Sequence, residues 1–293
     1  MKKVIYAAVL CLLCAACSTE NDDKVLDQNA VAPVTVSVNG FNITQEKFSE
    51  TRAAIPVADV ENVKAVTLAF YSGSTEVYKV TQLKNDASTY TTFGVFSLSL
   101  PMGSYTMVVL SYDLKDGDAL TLTSPTQAAF TSGSVRDMFS ATQSVTITNT
   151  SAVNLSATLS RVVSKVRVVS TENRPANVAS VRLTLSAGGN AFSPTSGLAT
   201  VNTGVVCTPE FNTEVGHISQ STAYVFLATD EQSMDVTIDV LDGEGTNLYH
   251  KVVTNVPFQR NRMTKLTGSM YSASSSSSFL VETGWDTTVD INF

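Results

Sequence analysis

From Val34 onward the sequence alternates apolar and polar residues with a period of two, and turn residues interrupt it every 8–15 positions. That pattern limits the fold more than any other feature. A side chain in a strand points to the opposite face from its neighbour, so a period of two builds half-buried strands, whereas a helix needs a period of 3.6. VTVSVNGFNI (Val34–Ile43) begins the series and carries Asn39-Gly40, a strong hairpin or tight-turn signal. Further strands are predicted at Val63–Tyr71, Glu76–Gln82, Val95–Leu100, Ser104–Tyr112, Ser144–Thr148 and Ala152–Ser160. Ser72-Gly73, Asn85-Asp86, Pro101-Met102-Gly103 and Asp116-Gly117 supply the turns between them. The one place that reads as a helical turn is Val135–Ala141.

The second half repeats the same grammar. Strands are predicted at Arg161–Ser170, Val178–Ala187, Val205–Phe211, Ala223–Thr229, Met234–Asp242, Leu248–Val256, Met263–Ser272, Ser278–Thr283 and Thr287–Phe293. The short spacing leaves no room for the helical crossovers of a parallel βαβ sheet. The fold class is therefore all-β, with two tandem antiparallel β-sandwich domains at residues 34–160 and 161–293. The boundary falls near Arg161, where two strand-like runs abut without a turn. Ser274–Ser278 reads as a flexible hairpin loop.

The N-terminus has a different character. Lys2 and Lys3 precede an apolar run, Val4–Ala16, that is too short to span a bilayer as a helix. This reads as a secretory signal over residues 1–16. Cys11, Cys14 and Cys17 are spaced like metal ligands, but the leader holds no His, Asp or Glu to complete a site. Leu13-Cys14-Ala15-Ala16-Cys17 instead resembles the lipobox of bacterial lipoproteins, which implies that Cys17 is the lipidation site and the new N-terminus. Several acyl chains on one residue hold a protein stably to a membrane, each buried CH2 contributing about 0.8 kcal/mol. Residues 17–33 are polar and acidic and read as a tether. Glu20, Asp22 and Asp23 also resemble the acidic cluster that accompanies transfer of some lipoproteins to the outer face of the outer membrane.

Loss of residues 1–16 removes two lysines and no acid, so the net charge of −7 becomes −9. An acidic chain without a basic stripe is a poor partner for nucleic acid. Cys17 and Cys207 would then be the remaining cysteines, which leaves no disulfide framework. The chain carries no G-x-S-x-G elbow, phosphate-cradling glycine loop or H-E-x-x-H motif, and an enzyme is not expected. His217 and His250 show no partner in sequence, and Cys207 reads as a buried, inert thiol. Asp113, Asp116 and Asp118 in DLKDGD lack the spacing of a calcium loop and read as a turn, as do Asp242 and Glu244 in LDGEG. No metal or cofactor is expected. A surface glycan-binding lipoprotein is the alternative reading, although one Trp, Trp285, and tyrosines that fall mostly within strands make a poor stacking platform.

Several stretches in order resemble the fimbrillin-like lipoproteins that build type V pili of anaerobic Gram-negative bacteria. PFQRNRMTKLTGSMYS and FLVETGWDTTVDINF are similar to that family's C-terminal region, with an R-N-x-x-T-x-L-x-G pattern and a Trp-to-Phe ending. LSRVVSKVRVV resembles its inter-domain strand, LPMGSYTMVVLSY its P-x-G-x-Y hairpin, and VRDMFSATQSVTI its D-x-F segment. The resemblance implies two transthyretin-like sandwiches and a structural or adhesive subunit at the outer membrane. Its partners would be other fimbrial subunits, the membrane through its lipid, and host or bacterial surface ligands. It also implies assembly by donor-strand exchange. A trypsin-like protease would cut between Arg52 and Ala53, release Val34–Ile43, and open a groove for a strand of another subunit. Thr51-Arg52-Ala53 reads equally as an exposed linker. The donor would be Thr287–Phe293, in which Val289, Ile291 and Phe293 share a face. An anchor subunit would keep residues 17–52, whereas a stalk or tip subunit would lose them.

Overall fold

The computed structural model describes residues 30–42, 57–60, 62–209, 211, 214–272 and 279–284. Among them there is no α-helix, only two short 3-10 turns at Val57–Asp59 and Ala87–Thr89. No helix of the described residues is long and apolar enough to cross a membrane. Cys17, Arg52, Ala53, Trp285, Val289, Ile291 and Phe293 lie outside the described residues, as do most of the stretch read as tether and the serine run.

The first half holds β1 (Val31–Asn42), β2 (Ala65–Ser72), β3 (Thr75–Leu83), β4 (Val95–Pro101), β5 (Gly103–Tyr112), β6 (Leu120–Ser124), β7 (Gln127–Phe130), β8 (Met138–Ile147) and β9 (Val153–Arg161). Seven of them form one sheet in the order β3-β2-β5-β8-β9-β1-β4. The strands β8 and β9 share only two register pairs, Phe139 with Arg161 and Ser140 with Ser160. The sheet folds over at that narrow joint, so β9-β1-β4 covers β3-β2-β5-β8. Val34, Val36 and Phe41 from one layer meet Leu68, Met107 and Phe139 from the other in a single core.

The second half holds β10 (Ser164–Asn173), β11 (Ser180–Leu185), β12 (Ala191–Ser193), β13 (Leu198–Ala199), β14 (Val205–Cys207), β15 (Ile218–Val225), β16 (Glu231–Leu241), β17 (Asn247–Gln259), β18 (Met263–Gly268) and β19 (Leu280–Gly284). Two four-stranded sheets, β15-β10-β18-β19 and β14-β11-β16-β17, enclose a second core around Val168, Leu183, Ile238 and Leu266. Most pairings are antiparallel. Two are parallel, β1 with β9 and β10 with β18. In each half the first strand thus lies beside a strand from the far end of that half, which is feasible because the intervening sandwich supplies the long connection that parallel pairing needs.

Three local expectations are corrected. Asn39-Gly40 makes no turn: β1 runs straight through it, with the register shifting between Val38 and Gly40. The bulge lets Val38 and Phe41, three positions apart, both face the core, and Gly40 takes φ 151°, a conformation that favours glycine. Val135–Ala141 forms no helical turn. Its second part is the start of β8, and Asp137 is held by Arg161 instead of by a helix. Finally, β1 starts at Val31, so Val31 to Pro33, read as the end of the tether, pair with Pro101 to Ser99 of β4.

The short strands β6 (Leu120–Ser124), β7 (Gln127–Phe130), β12 (Ala191–Ser193) and β13 (Leu198–Ala199) have no counterpart among the strands that the sequence predicts. They form a fourth sheet, β13-β12-β7-β6, drawn from both halves, with Phe192 of β12 paired to Ala128 of β7. Beneath it lies a third core in which Tyr71, Leu110 and Phe130 of the first half meet Phe192 and Phe226 of the second. Strand β2 is therefore buried on both faces from Ala65 to Tyr71. Between β9 and β10 only Val162 and Val163 intervene, and both are buried in this junction.

Candidate functional site

The strand β1 occupies the place where the resemblance implies that strand exchange occurs. Ala32, Val34, Val36 and Val38 alternate inward, and each is at most 8% exposed. On one side β1 runs antiparallel to β4, with Val34 opposite Leu98 and Val36 opposite Phe96. On the other it runs parallel to β9, with Val34 opposite Val153 and Phe41 opposite Leu159. Strand β4 ends the sheet, and among the described residues its only sheet partner is β1. A single segment therefore stitches β4 to the rest of the first sandwich.

Polar contacts define the mouth of this slot. Buried Gln82 bonds two consecutive residues at the end of a tight turn: its amide nitrogen donates to the Val95 carbonyl at 2.8 Å, and its oxygen accepts from the Gly94 amide at 2.8 Å. The Gly94 carbonyl in turn accepts from the Val38 amide at 2.9 Å. Gly94 has φ 85°, and a Cβ there would come within 2.5 Å of the Val57 side chain. Val57 is where the described chain resumes after β1, and it is buried in the same core. Residues 43–56, which include Arg52 and Ala53, join the end of β1 to this point. Beyond Pro101, the Tyr105 hydroxyl donates to the Pro101 carbonyl at 2.8 Å and its ring packs over Gly103, which holds the β4–β5 hairpin shut.

Three more of the family-like motifs, those carrying Asp137, Arg161 and Asn261, converge on the junction between the halves. Arg161 donates to Asp137 through Nε at 2.7 Å and Nη2 at 3.0 Å, both side chains being almost wholly buried, and its guanidinium stacks on Phe139 at 4.5 Å. Asn261, from the R-N pattern, takes φ 60°; its amide donates to the Val163 carbonyl at 2.9 Å, and its side chain approaches Arg161. Arg260 pairs with Asp230 at 2.7 Å and reaches the Ser196 carbonyl. These residues act as structural clamps, and the sequence signal for them was their membership of the quoted motifs.

The other titratable candidates resolve simply. Cys207 is half-buried, its thiol lies near the Leu183 carbonyl, and burial pushes its pKa up to about 11, so it is a weak nucleophile. His250, read as unpartnered, sits opposite Asp239 with Nδ1 2.7 Å from its Oδ1, and Arg182 and Asn247 donate to the same carboxylate. Period-two reading places His250 on a strand but cannot bring Asp239 beside it, because that pairing depends on the β16–β17 register. His217 lies in an exposed turn whose carbonyl accepts from the Arg174 amide. The Asp242 side chain accepts from the amides of Glu244 and Thr246, as the turn reading implies. Among the described residues no group of three or more His, Cys, Asp or Glu side chains is placed to hold a metal ion.

A family model matches residues 28–292, nearly all of the strand-forming sequence. The chain belongs to a family of unknown function, DUF6562. This DUF6562 member matches no curated protein. Solved structures share its fold. A candidate adhesin from Bacteroides ovatus aligns with TM-score 0.55 over 89% of this chain and 97% of its own, at 11% identity. The fimbrial anchor protein Mfa2 from Porphyromonas gingivalis aligns with TM-score 0.51 over 87% and 98%, at 12% identity. A candidate polysaccharide-binding protein from Bacteroides thetaiotaomicron aligns with TM-score 0.50 over 86% and 97%, at 11% identity. At these identities the likeness establishes a shared β-sandwich architecture over most of the chain.

Proposed function

We propose that this family member is a surface subunit of a fimbrium, structural and non-enzymatic, that assembles by exchanging β1 for a strand of another subunit. The observation that carries the reading is the position of β1, which alone among the described strands joins β4 to the sheet. Removing β1 would uncover the sites of Ala32, Val34, Val36, Val38 and Phe41. Larger apolar side chains are each worth about 1.5–3 kcal/mol on burial, so the loss would rival the roughly 5–15 kcal/mol that holds an ordinary domain together. An emptied slot would therefore bind a replacement strand strongly, since backbone groups and alternate side chains would all find partners.

The donor is Thr287–Phe293, whose Val289, Ile291 and Phe293 repeat the i, i+2, i+4 spacing of Val34, Val36 and Val38. Cleavage between Arg52 and Ala53 frees β1, since Arg52 lies in the stretch between the end of β1 and Val57. Lipid on Cys17 moors the subunit to the outer membrane before the cut, and permanently if the cut is not made. The family resemblance, the fold shared with a fimbrial anchor protein and the lipobox-like leader support this reading.

Digesting the purified protein with a trypsin-like protease tests it. Cleavage after Arg52 is expected to give a new N-terminus at Ala53 and to permit oligomers, and truncation of Thr287–Phe293 is expected to abolish the oligomers while the monomer stays folded. A protein that loses β1 yet stays monomeric, or a truncated one that still assembles, refutes strand exchange. Uncut protein on cells, starting at lipidated Cys17, identifies an anchor.

A further inference from the structure

The assembly reading leaves one part of the surface without a task. The loop DLKDGD, which joins β5 to β6, separates two cavities and lines both through Lys115. The larger, of about 680 Å³, has Leu83 and Leu114 as apolar walls, with Lys64, Lys84, Asn85 and Asp116 around them. The smaller, of about 310 Å³, lies between the halves, where Asp113 and Arg136 of the first face Gln220, Thr222 and Tyr224 of the second. Both volumes suit small-molecule sites, which run to about 300–1,000 Å³.

The charges are arranged unequally. Lys64 is held by Asp113 at 2.9 Å and by the Leu114 carbonyl. Asp118 turns its charge inward, because its carboxylate accepts from Thr131, Ser132 and Arg136 and is 4% exposed. Lys84 is different: its ammonium bonds the Val60 carbonyl at 3.3 Å, and among the described residues it meets no carboxylate. A half-buried ammonium that is balanced, among the described residues, only by a carbonyl dipole is a favourable place for an anion, even on a chain of net charge −7.

We propose that this cleft binds an acidic saccharide. A ring carboxylate would sit on Lys84, assisted by Lys64. The apolar face of the sugar would lie on Leu83 and Leu114, and its hydroxyls would reach Asn85 and Asp116. A bare anion would use the ammonium groups alone and leave the leucine walls and Asn85 without a role. Among the described residues every Phe and Tyr is at least partly buried. No aromatic residue lines this cleft, so charge carries its selectivity. Lys115 connects the two cavities, so a longer chain could cross the loop toward Gln220 and Tyr224. The proposal is independent of strand exchange.

Titration calorimetry on the purified full chain tests it with trigalacturonate, neutral trigalactose and inorganic phosphate as probes. Trigalacturonate is expected to bind about tenfold more tightly than trigalactose, as one charge-assisted hydrogen bond would give. Lys84→Met should lose that advantage with an unchanged melting temperature, Lys84→Arg should retain it, and Asn85→Ala should weaken trigalacturonate without affecting phosphate. The proposal is overturned if wild-type protein fails to bind trigalacturonate, if Lys84→Met binds it as well as wild type does, or if phosphate binds as tightly.

Discussion

The Asp118 carboxylate accepts hydrogen bonds from the Thr131 hydroxyl, from the backbone and hydroxyl of Ser132, and from the Arg136 guanidinium, which also lies over the Phe130 ring. Burial pushes its pKa up, but these donors outweigh burial and hold it well below the usual carboxylate range. Asp239, met by His250, Arg182 and Asn247, is lowered in the same way. The sign of the effect on stability follows. An unfolded aspartate takes up its proton near pH 3.9, about the value in model peptides, while the folded one holds out to lower pH. Between those values the unfolded chain binds more protons, so this part of the stability is complete above about pH 4 and is lost as the pH falls further. Thermal melts of the wild type from pH 7 to pH 3 should show a steep acid decline, and Asp118→Asn should start from a lower melting temperature at pH 7 and decline less. Parallel curves for the two proteins would show that Asp118 does not contribute in this way.

Among the elements, β1 combines deep burial with dependence on neighbours remote in sequence. Phe41, just past the bulge, packs edge-on against Phe139 with ring centroids 4.6 Å apart. It clamps the end of β1 nearest the stretch that carries Arg52. Phe41→Ala should cost about 3–5 kcal/mol, as usual for a buried phenylalanine. The loss should be largest locally: amide exchange should accelerate most across β1 and its partners in β4 and β9, and less in the second-half strands. Uniform acceleration through both halves would contradict a separately releasable β1. The same element shows where pattern reading stops. Asn39-Gly40 has the composition of a hairpin turn, but β9 pairs with β1 on either side of it, Val38 with Ala157 and Gly40 with Thr158, so the extra residue is absorbed as a bulge. At Val135–Ala141 a single turn's worth of spacing gives way to β8, which is paired along its whole length with β5.

Across the whole molecule, the two sandwiches are coupled by the mixed sheet and the core beneath it. Phe192 of the second half stacks on Phe226 at 4.4 Å and reaches the first-half residues of that core. The Thr195 amide donates to the Pro125 carbonyl at 3.1 Å, and β12 pairs with β7. Calorimetry of the wild type should give one cooperative transition. Phe192→Ala, costing about 3–5 kcal/mol at the junction, should separate it into two. Two transitions already present in the wild type would mean that the junction does not couple the halves.

What the sequence determined by itself is the class of fold and the place of most of the long strands, because a period of two marks a strand regardless of its neighbours. The predicted strands at Val63–Tyr71, Ser104–Tyr112 and Met234–Asp242 coincide closely with β2, β5 and β16. The short β6, β7, β12 and β13 are illegible in the sequence because two to five residues hold too few alternations to stand out, and each is a strand only by virtue of its partner. Only the tertiary structure decided which edges meet. It put β1 between β4 and β9, brought Asp239 beside His250, buried both faces of β2, and joined Asp137 to Arg161 beside Asn261. The physical reason is that alternation fixes a side chain's face and says nothing of its partner strand. Partners are chosen by packing and hydrogen bonding between segments far apart in the chain.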